Sequence, residues 1–209
     1  MDTSQLTETA LFKGMSPVEI DACLKNLNAQ AKKYKRGSII LHAGDHTSRM
    51  GLVISGSVTI ESNDIWGNLT VLSHAGAGQF FAETYAMLPD EVMLVDVRAN
   101  EDCEILFLSI SGMLENPVLT RRLLMITARK NLLLSGRSFH TAPKSARSRI
   151  LAYLHTVSLQ KGSAAFDIPF SRQQMADYLN LERTALSKEL GRMRRDGIIE
   201  CRKNHFVLL

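Results

Sequence analysis

The sequence predicts an α+β protein with three parts: an N-terminal antiparallel β-roll of the cupin-like jelly-roll kind, a long helix, and a C-terminal winged helix-turn-helix. Three observations predict it. Between residue 37 and about residue 108, short β-branched runs alternate apolar and polar side chains and are broken by Gly37, Gly44, Gly51, Gly56, Gly67, Gly76 and Gly78. From Val118 to about Phe139 the chain reads as one helix, with no glycine until Gly136. Residues 171–190 then place Met175, Ala176 and Leu179 at helical spacing, Asn180 where a tight turn needs a left-handed residue, and Leu186 and Leu190 on a second stripe.

The elements follow in order. Residues from about 6 to 31 have the mixed apolar spacing of short helices, with Ser16, Pro17 and Glu19 forming a helix start. Strands are expected at 38–41, 50–54, 58–60, 69–72 and 104–108, with glycines supplying the turns and Trp66 beside Gly67 on a hairpin tip. In the long helix Leu119, Leu123, Ile126, Lys130 and Leu133 step by four, three, four and three, the a/d spacing of a two-stranded coiled coil. This stripe is the expected dimer interface, although Lys130 interrupts it and packing on the chain's own roll is the competing reading. Thr141-Ala-Pro143 breaks the helix and reads as a hinge. A further helix from Ser145 to about Leu159 carries Ile150, Leu151 and Leu154 into a second core, and 166–170 forms a short strand. Ser171 can cap the first helix of the motif, and Gly197 ends the helix behind it. Arg202-Lys-Asn-His205 turns a hairpin, so the wing has a basic tip. The expected domains are an effector roll at 1–116, a dimerisation helix at 117–140 and a winged domain at 141–209.

Charge points to a partner. The net charge of +4 is unevenly distributed: 13 Lys+Arg stand against 15 Asp+Glu through Phe139, and 12 against 6 from His140 onward. A basic final third carrying a helix-turn-helix is what release of counterions from DNA phosphates favours. Arg183, Thr184, Ser187 and Lys188, on the polar side of a second helix at about 182–193, form a donor-rich set able to reach guanine edges and phosphates in a major groove. Ser171, Arg172 and Gln173 sit at a helix N-terminus suited to phosphate, and Arg192, Arg194 and Arg195 can reinforce backbone contact.

Other classes find little support. The N-terminus lacks the basic and apolar regions of a signal peptide and no apolar run reaches about 18 residues, so a cytoplasmic protein without a membrane partner is expected. Cys23, Cys103 and Cys201 follow no metal-ligand spacing, and no metal site is expected. No Ser/His/Asp signature, phosphate loop or paired acidic motif points to an enzyme, so no catalytic residues are assigned. The competing reading is a ligand-sensing protein whose winged helix contacts a protein partner instead of DNA.

Taken together, several short motifs resemble the Crp/Fnr superfamily of bacterial transcription regulators over essentially the whole chain. They are Arg36-Gly37 before Ala43-Gly-Asp45, Leu52-Val-Ile-Ser-Gly56-Ser-Val58, Gly78-Gln-Phe-Phe-Ala-Glu83, and Val97-Arg-Ala99 before Glu101-Asp-Cys-Glu-Ile105. Ile168-Pro-Phe-Ser-Arg-Gln173 and Arg183-Thr-Ala-Leu-Ser-Lys188 complete the set. The resemblance implies a cyclic-nucleotide-binding-like roll and a homodimer on a near-palindromic DNA operator. By position it also implies base and phosphate contacts from Arg183, Thr184, Ser187 and Lys188. Lys188 stands where many members have arginine, which makes that contact less directional. RNA polymerase is a further partner of the family type.

The effector site departs from the pattern. Cyclic-nucleotide binders of the superfamily use a Gly-Glu pair for the ribose and an Arg-Ser or Arg-Thr pair for the phosphate. Here these read Ala82-Glu83 and Met93-Leu94. A buried phosphate facing two apolar side chains would lose its charge-assisted hydrogen bonds, so no cyclic-AMP response is expected. An iron–sulfur cluster of the Fnr kind needs four thiolates and the chain has three cysteines. Haem is not expected, because no spacing singles out an axial ligand among His42, His74 and the methionines. No cofactor is predicted. An apolar or carboxylate-bearing small-molecule effector is left open, with Glu83, Tyr85, Met93, Leu94, Leu134 and Ser135 as the pocket the resemblance implies.

Overall fold

The computed structural model describes residues 3–63 and 69–209, so the expected Trp66–Gly67 tip lies outside the described residues. The chain divides into two compact units, residues 1–128 and 129–209.

In the first unit a 3-10 turn (Thr3–Leu6) precedes helix α1 (Pro17–Asn26). The start of α1 is a capping box: the Ser16 hydroxyl accepts from the Glu19 amide, the Glu19 carboxylate accepts from the Ser16 amide at 2.8 Å, and Pro17 occupies the first turn. Strands β1 (Gln30–Tyr34), β2 (Ile39–Leu41), β3 (Arg49–Ser55), β4 (Ser57–Asn63), β5 (Leu69–Gly76) and β6 (Phe80–Phe81) come next. Helix α2 (Glu83–Met87), strands β7 (Asp96–Ala99) and β8 (Cys103–Ser109), helix α3 (Ile110–Leu114) and the start of α4 (Pro117–Thr141) complete the unit. The strands form two antiparallel sheets ordered β1-β8-β3-β6 and β2-β7-β4-β5, the expected roll.

Strand β1 falls where the sequence suggested the end of a helical region. Its residues, Gln-Ala-Lys-Lys-Tyr, pair with β8 from Gln30 opposite Phe107 to Tyr34 opposite Cys103. It is an edge strand and mostly exposed, so it needs no apolar alternation, and its lysines oppose pairing with other chains.

Strand β8 is buried on both faces. Successive side chains point to opposite sides of a sheet, so Ile105 and Phe107 enter a cluster with Val53, Val58, Phe81 and Met93 between the sheets. Leu106 and Leu108 point the other way, onto Met50, Leu52, Ile20, Leu27, Leu119, Leu123 and Ile126. Gly51 is required here: a Cβ on it would lie 2.1 Å from the Phe81 ring.

This packing corrects the expected dimer seam. Leu119, Leu123 and Ile126 are 1%, 1% and 8% exposed, buried in the chain's own core, where each contributes about 1.5–3 kcal/mol. Lys130 is half-buried and Leu133 is exposed. The exposed apolar residues of α4 include Val118, Met125, Leu132 and Phe139, seven apart and one position before the expected stripe. Two heptad stripes lie side by side on this helix, and the spacing alone does not say which one the roll covers.

In the second unit α4 ends at Thr141 and α5 (Ala146–Lys161) begins at Ser145, whose hydroxyl accepts from the Ser148 amide at 3.1 Å. Gly162, at φ +62°, ends α5 in the left-handed conformation. Strand β9 (Ala165–Asp167), helices α6 (Arg172–Tyr178) and α7 (Arg183–Arg195), and strands β10 (Ile199–Arg202) and β11 (His205–Leu208) follow. The three strands form an antiparallel sheet ordered β10-β11-β9. Ile150, Leu154, Met175, Leu179, Leu186, Leu190, Met193 and Phe206 build one core beneath the two motif helices.

Candidate nucleic-acid interface

The motif starts at a second capping box. The Ser171 hydroxyl accepts from the Gln174 amide at 3.3 Å, and the Gln174 side chain accepts from the Ser171 amide at 2.9 Å. After α6 the chain turns at Asn180, at φ +51°, a conformation asparagine tolerates better than most residues. The second helix, α7, then buries Leu186, Glu189, Leu190 and Met193.

Its other side is open. Arg183, Thr184, Ser187 and Lys188 are exposed and, together with Ala185, line one shallow concavity. Among the described residues, none of these four polar side chains makes a hydrogen bond or ion pair within the chain. Glu182 precedes the helix without a side-chain cap, which leaves the first-turn amides of α7 without that partner. An array of donors with nothing to satisfy inside the protein suits phosphate and base edges.

The other expected contacts are more committed. The Arg172 guanidinium stacks 4.9 Å from the Phe206 ring, and Gln173 donates to the Asp177 carboxylate at 2.8 Å. Arg192 donates to Glu189 at 3.2 Å. Glu189 also receives Arg147 Nε at 2.6 Å, and the same Arg147 reaches Asp196 at 2.7 Å. Arg147 on α5 therefore grips α7 at two carboxylates seven residues apart. Its hydrogen bond holds the Glu189 carboxyl below the usual range, against the opposing effect of burial. Glu189 and Arg147 are 42 positions apart and belong to no local pattern, so the sequence alone does not single them out. The wing turns at Lys203 and Asn204, with Lys203 at φ +52°, and carries Arg202 and Lys203 exposed at its tip.

The roll residues are placed as follows. Glu83 is buried at the start of α2, just after Ala82 at φ +59°. Tyr85 is half-buried and its hydroxyl accepts from the Leu94 amide at 3.3 Å. Met93 is buried in the core between the sheets, whereas Leu94 is 73% exposed. Leu134 and Ser135 belong to the 129–209 unit, where both are exposed.

Residues 31–115 match the cyclic nucleotide-binding domain family, and residues 148–209 match the Crp-like helix-turn-helix domain family. Together the two matches span well over half of the chain. The protein belongs to the Crp/Fnr family of transcription regulators. The transcriptional activator protein FnrL of Cereibacter sphaeroides is 25% identical over 198 residues, covering 85% of this chain and 75% of that one. The catabolite activator protein of Thermus thermophilus superposes with a TM-score of 0.53 at 25% identity, over 96% of this chain and 94% of that one. The c-di-GMP-responsive regulator CLP of Xanthomonas campestris shares the fold, with a TM-score of 0.57 at 21% identity over 90% and 98%. As a Crp/Fnr regulator the chain carries a DNA-binding helix-turn-helix domain, and the family is one of regulators and not of enzymes. No helix among the described residues is long and apolar enough to cross a membrane.

Proposed function

We propose that the protein acts as a homodimer on a near-palindromic operator, inserting one α7 from each protomer into major grooves about 34–36 Å apart. The observation that carries this reading is the exposed, internally unengaged set Arg183, Thr184, Ser187 and Lys188 on a helix whose opposite side is fully buried. Arg183 and Lys188 offer donors to guanine, and Thr184 and Ser187 offer hydroxyls to bases or phosphates. Ser171, Arg172, Gln173 and Arg192 contribute to the backbone contact, with Arg192 exchanging its Glu189 partner for phosphate.

The dimer seam we propose lies on the second-unit part of α4, at Leu132 and Phe139, apolar residues seven apart that are exposed in a single chain. Leu132, Leu133 and Leu134 are all exposed in a single chain, an apolar surface that a second copy would cover.

The roll does not act through cyclic AMP in this reading. Met93 and Leu94 offer a phosphate no donor side chain, and Met93 is already committed to the core. Any effector would be apolar or carboxylate-bearing, and it would act by changing the balance between two dimer arrangements.

Selection of duplexes from a random pool by the purified protein, without added ligand, tests the reading. A two-fold-symmetric winner is the expected result. A winner without symmetry would overturn the dimeric operator. An empty selection that persists through a metabolite screen would favour a protein partner for the winged helix.

A further inference from the structure

The end of the long helix is tied to the turn of the DNA-reading motif. Arg137, on α4, donates through Nε to the Tyr178 carbonyl and through Nη2 to the Asp177 carbonyl and the Asn180 side chain, each at 3.3 Å. Its guanidinium also lies 5.8 Å from the Tyr178 ring. One turn on, His140 is buried and bonded at both ring nitrogens, to the Tyr178 hydroxyl and to Thr156 Oγ1, each at 2.9 Å. The Tyr178 ring packs among His140, Tyr153 and Phe170, with centroids 5.1–5.8 Å away. From the other side Arg149 donates to the carbonyls of Leu179 and Asn180 at 3.2 and 2.9 Å, and to that of Pro143 at 2.7 Å.

Two features make this more than ordinary packing. The carbonyls from Asp177 to Asn180 lie at the negative end of the α6 dipole; that of Asp177 also accepts from the Asn180 amide at 3.3 Å, and two planar guanidiniums supply further donors to the set. The segment so gripped also includes the left-handed Asn180, which sets the angle between α6 and α7. A change in that turn re-aims the recognition helix, and base contacts tolerate little misplacement.

We infer that Arg137 is a positioning residue for DNA recognition, clamping Tyr178 and the Asn180 turn so that the last turns of α4 set the direction in which α7 is presented. The inference rests on the DNA-binding reading above for its consequence, but not for its mechanics. The stretch 141–143, expected to act as a hinge, is bridged: Arg137 and His140 before it and Arg149 after it hold the same turn. The last turns of α4 and the motif move together.

The test compares wild type with Arg137→Ala, Arg137→Lys and Tyr178→Phe, the last removing only the hydroxyl that His140 holds. Amide hydrogen exchange across residues 176–182 is measured without DNA, beside helix content and Tm. Binding is then measured to the best duplex selected by wild type and to a scrambled duplex, at several salt concentrations. For Arg137→Ala we expect faster exchange confined to the turn and a roughly tenfold loss of selected-site affinity. Scrambled-site affinity and salt slope should be unchanged, and Arg137→Lys should recover part of the loss. Unchanged exchange in both Arg137→Ala and Tyr178→Phe would overturn the clamp. Equal losses on both duplexes with a shallower salt slope would make Arg137 a phosphate contact and overturn the positioning role. Should wild type select no duplex, the DNA reading fails by itself and the exchange data still decide whether the clamp exists.

Discussion

Ala82 occupies a backbone position that a glycine would hold more cheaply. At φ +59° its Cβ crowds the neighbouring carbonyl, and relief of that strain outweighs the extra flexibility glycine brings to the unfolded chain. Ala82→Gly should raise stability by about 0.5–1 kcal/mol in denaturant unfolding. Glu189 behaves in the opposite way, contributing stability through its charge. Its folded pKa lies below the unfolded value, so the ionised form is favoured by folding. The stabilisation is complete above the ordinary value of 4.5 and is lost as pH falls through the folded one. Arg147 is about a third exposed, so the pair falls between surface and buried cases. Glu189→Gln should cost about 1–2 kcal/mol at pH 7 and progressively less below about pH 4, measured by urea unfolding across pH. The caps at Ser16 and Ser171 and the turn at Asn180 were legible in sequence because each depends on residues within three positions. The Arg147–Glu189–Asp196 grip was not, because only the fold brings its members together.

Helices and strands were legible where one face is buried and the other wet. Strand β1, exposed and lysine-rich at an edge, carries no such contrast and was hidden for that reason. Helix α4 was legible as a helix, but it has two apolar stripes that periodicity does not rank, and Leu119, Leu123 and Ile126 of the expected one are buried in the chain's own core. The two faces respond differently to mutation. Leu132→Glu should shift the protein from dimer to monomer in sedimentation while leaving the roll folded. Leu123→Ala should instead cost about 2–5 kcal/mol of stability, by opening a cavity in the buried cluster that also holds Leu52 and Leu106, and leave the assembly intact. Loss of the dimer through Leu123→Ala with none through Leu132→Glu would return the seam to the buried stripe.

For the whole molecule, the division of charge carries most of the functional information. The basic final third should make binding to the selected duplex fall steeply with salt. Six to ten phosphate contacts would give a loss of about 10³–10⁵ between 50 and 200 mM. A slope near zero, read by fluorescence anisotropy, would mean that the basic residues are merely solvated. The roll makes a second global prediction: cyclic AMP at millimolar concentration should leave the melting temperature unchanged, whereas a ligand at a hundred times its Kd would add about 2.7 kcal/mol. The architecture was legible because motif order and charge repeat the same message along the chain. The effector's identity was not, because Met93 and Leu94 tell what the roll lacks and not what it takes.

The leucines at 132–134 also bear on how such a regulator responds to its own abundance. If the operator accepts only pairs, then below the pairing threshold occupancy grows with the square of the number of chains in the cell. A doubling of synthesis would then quadruple the bound fraction. A gene controlled this way would answer to changes in expression of its regulator more sharply than any single-chain binder allows, before any effector is involved.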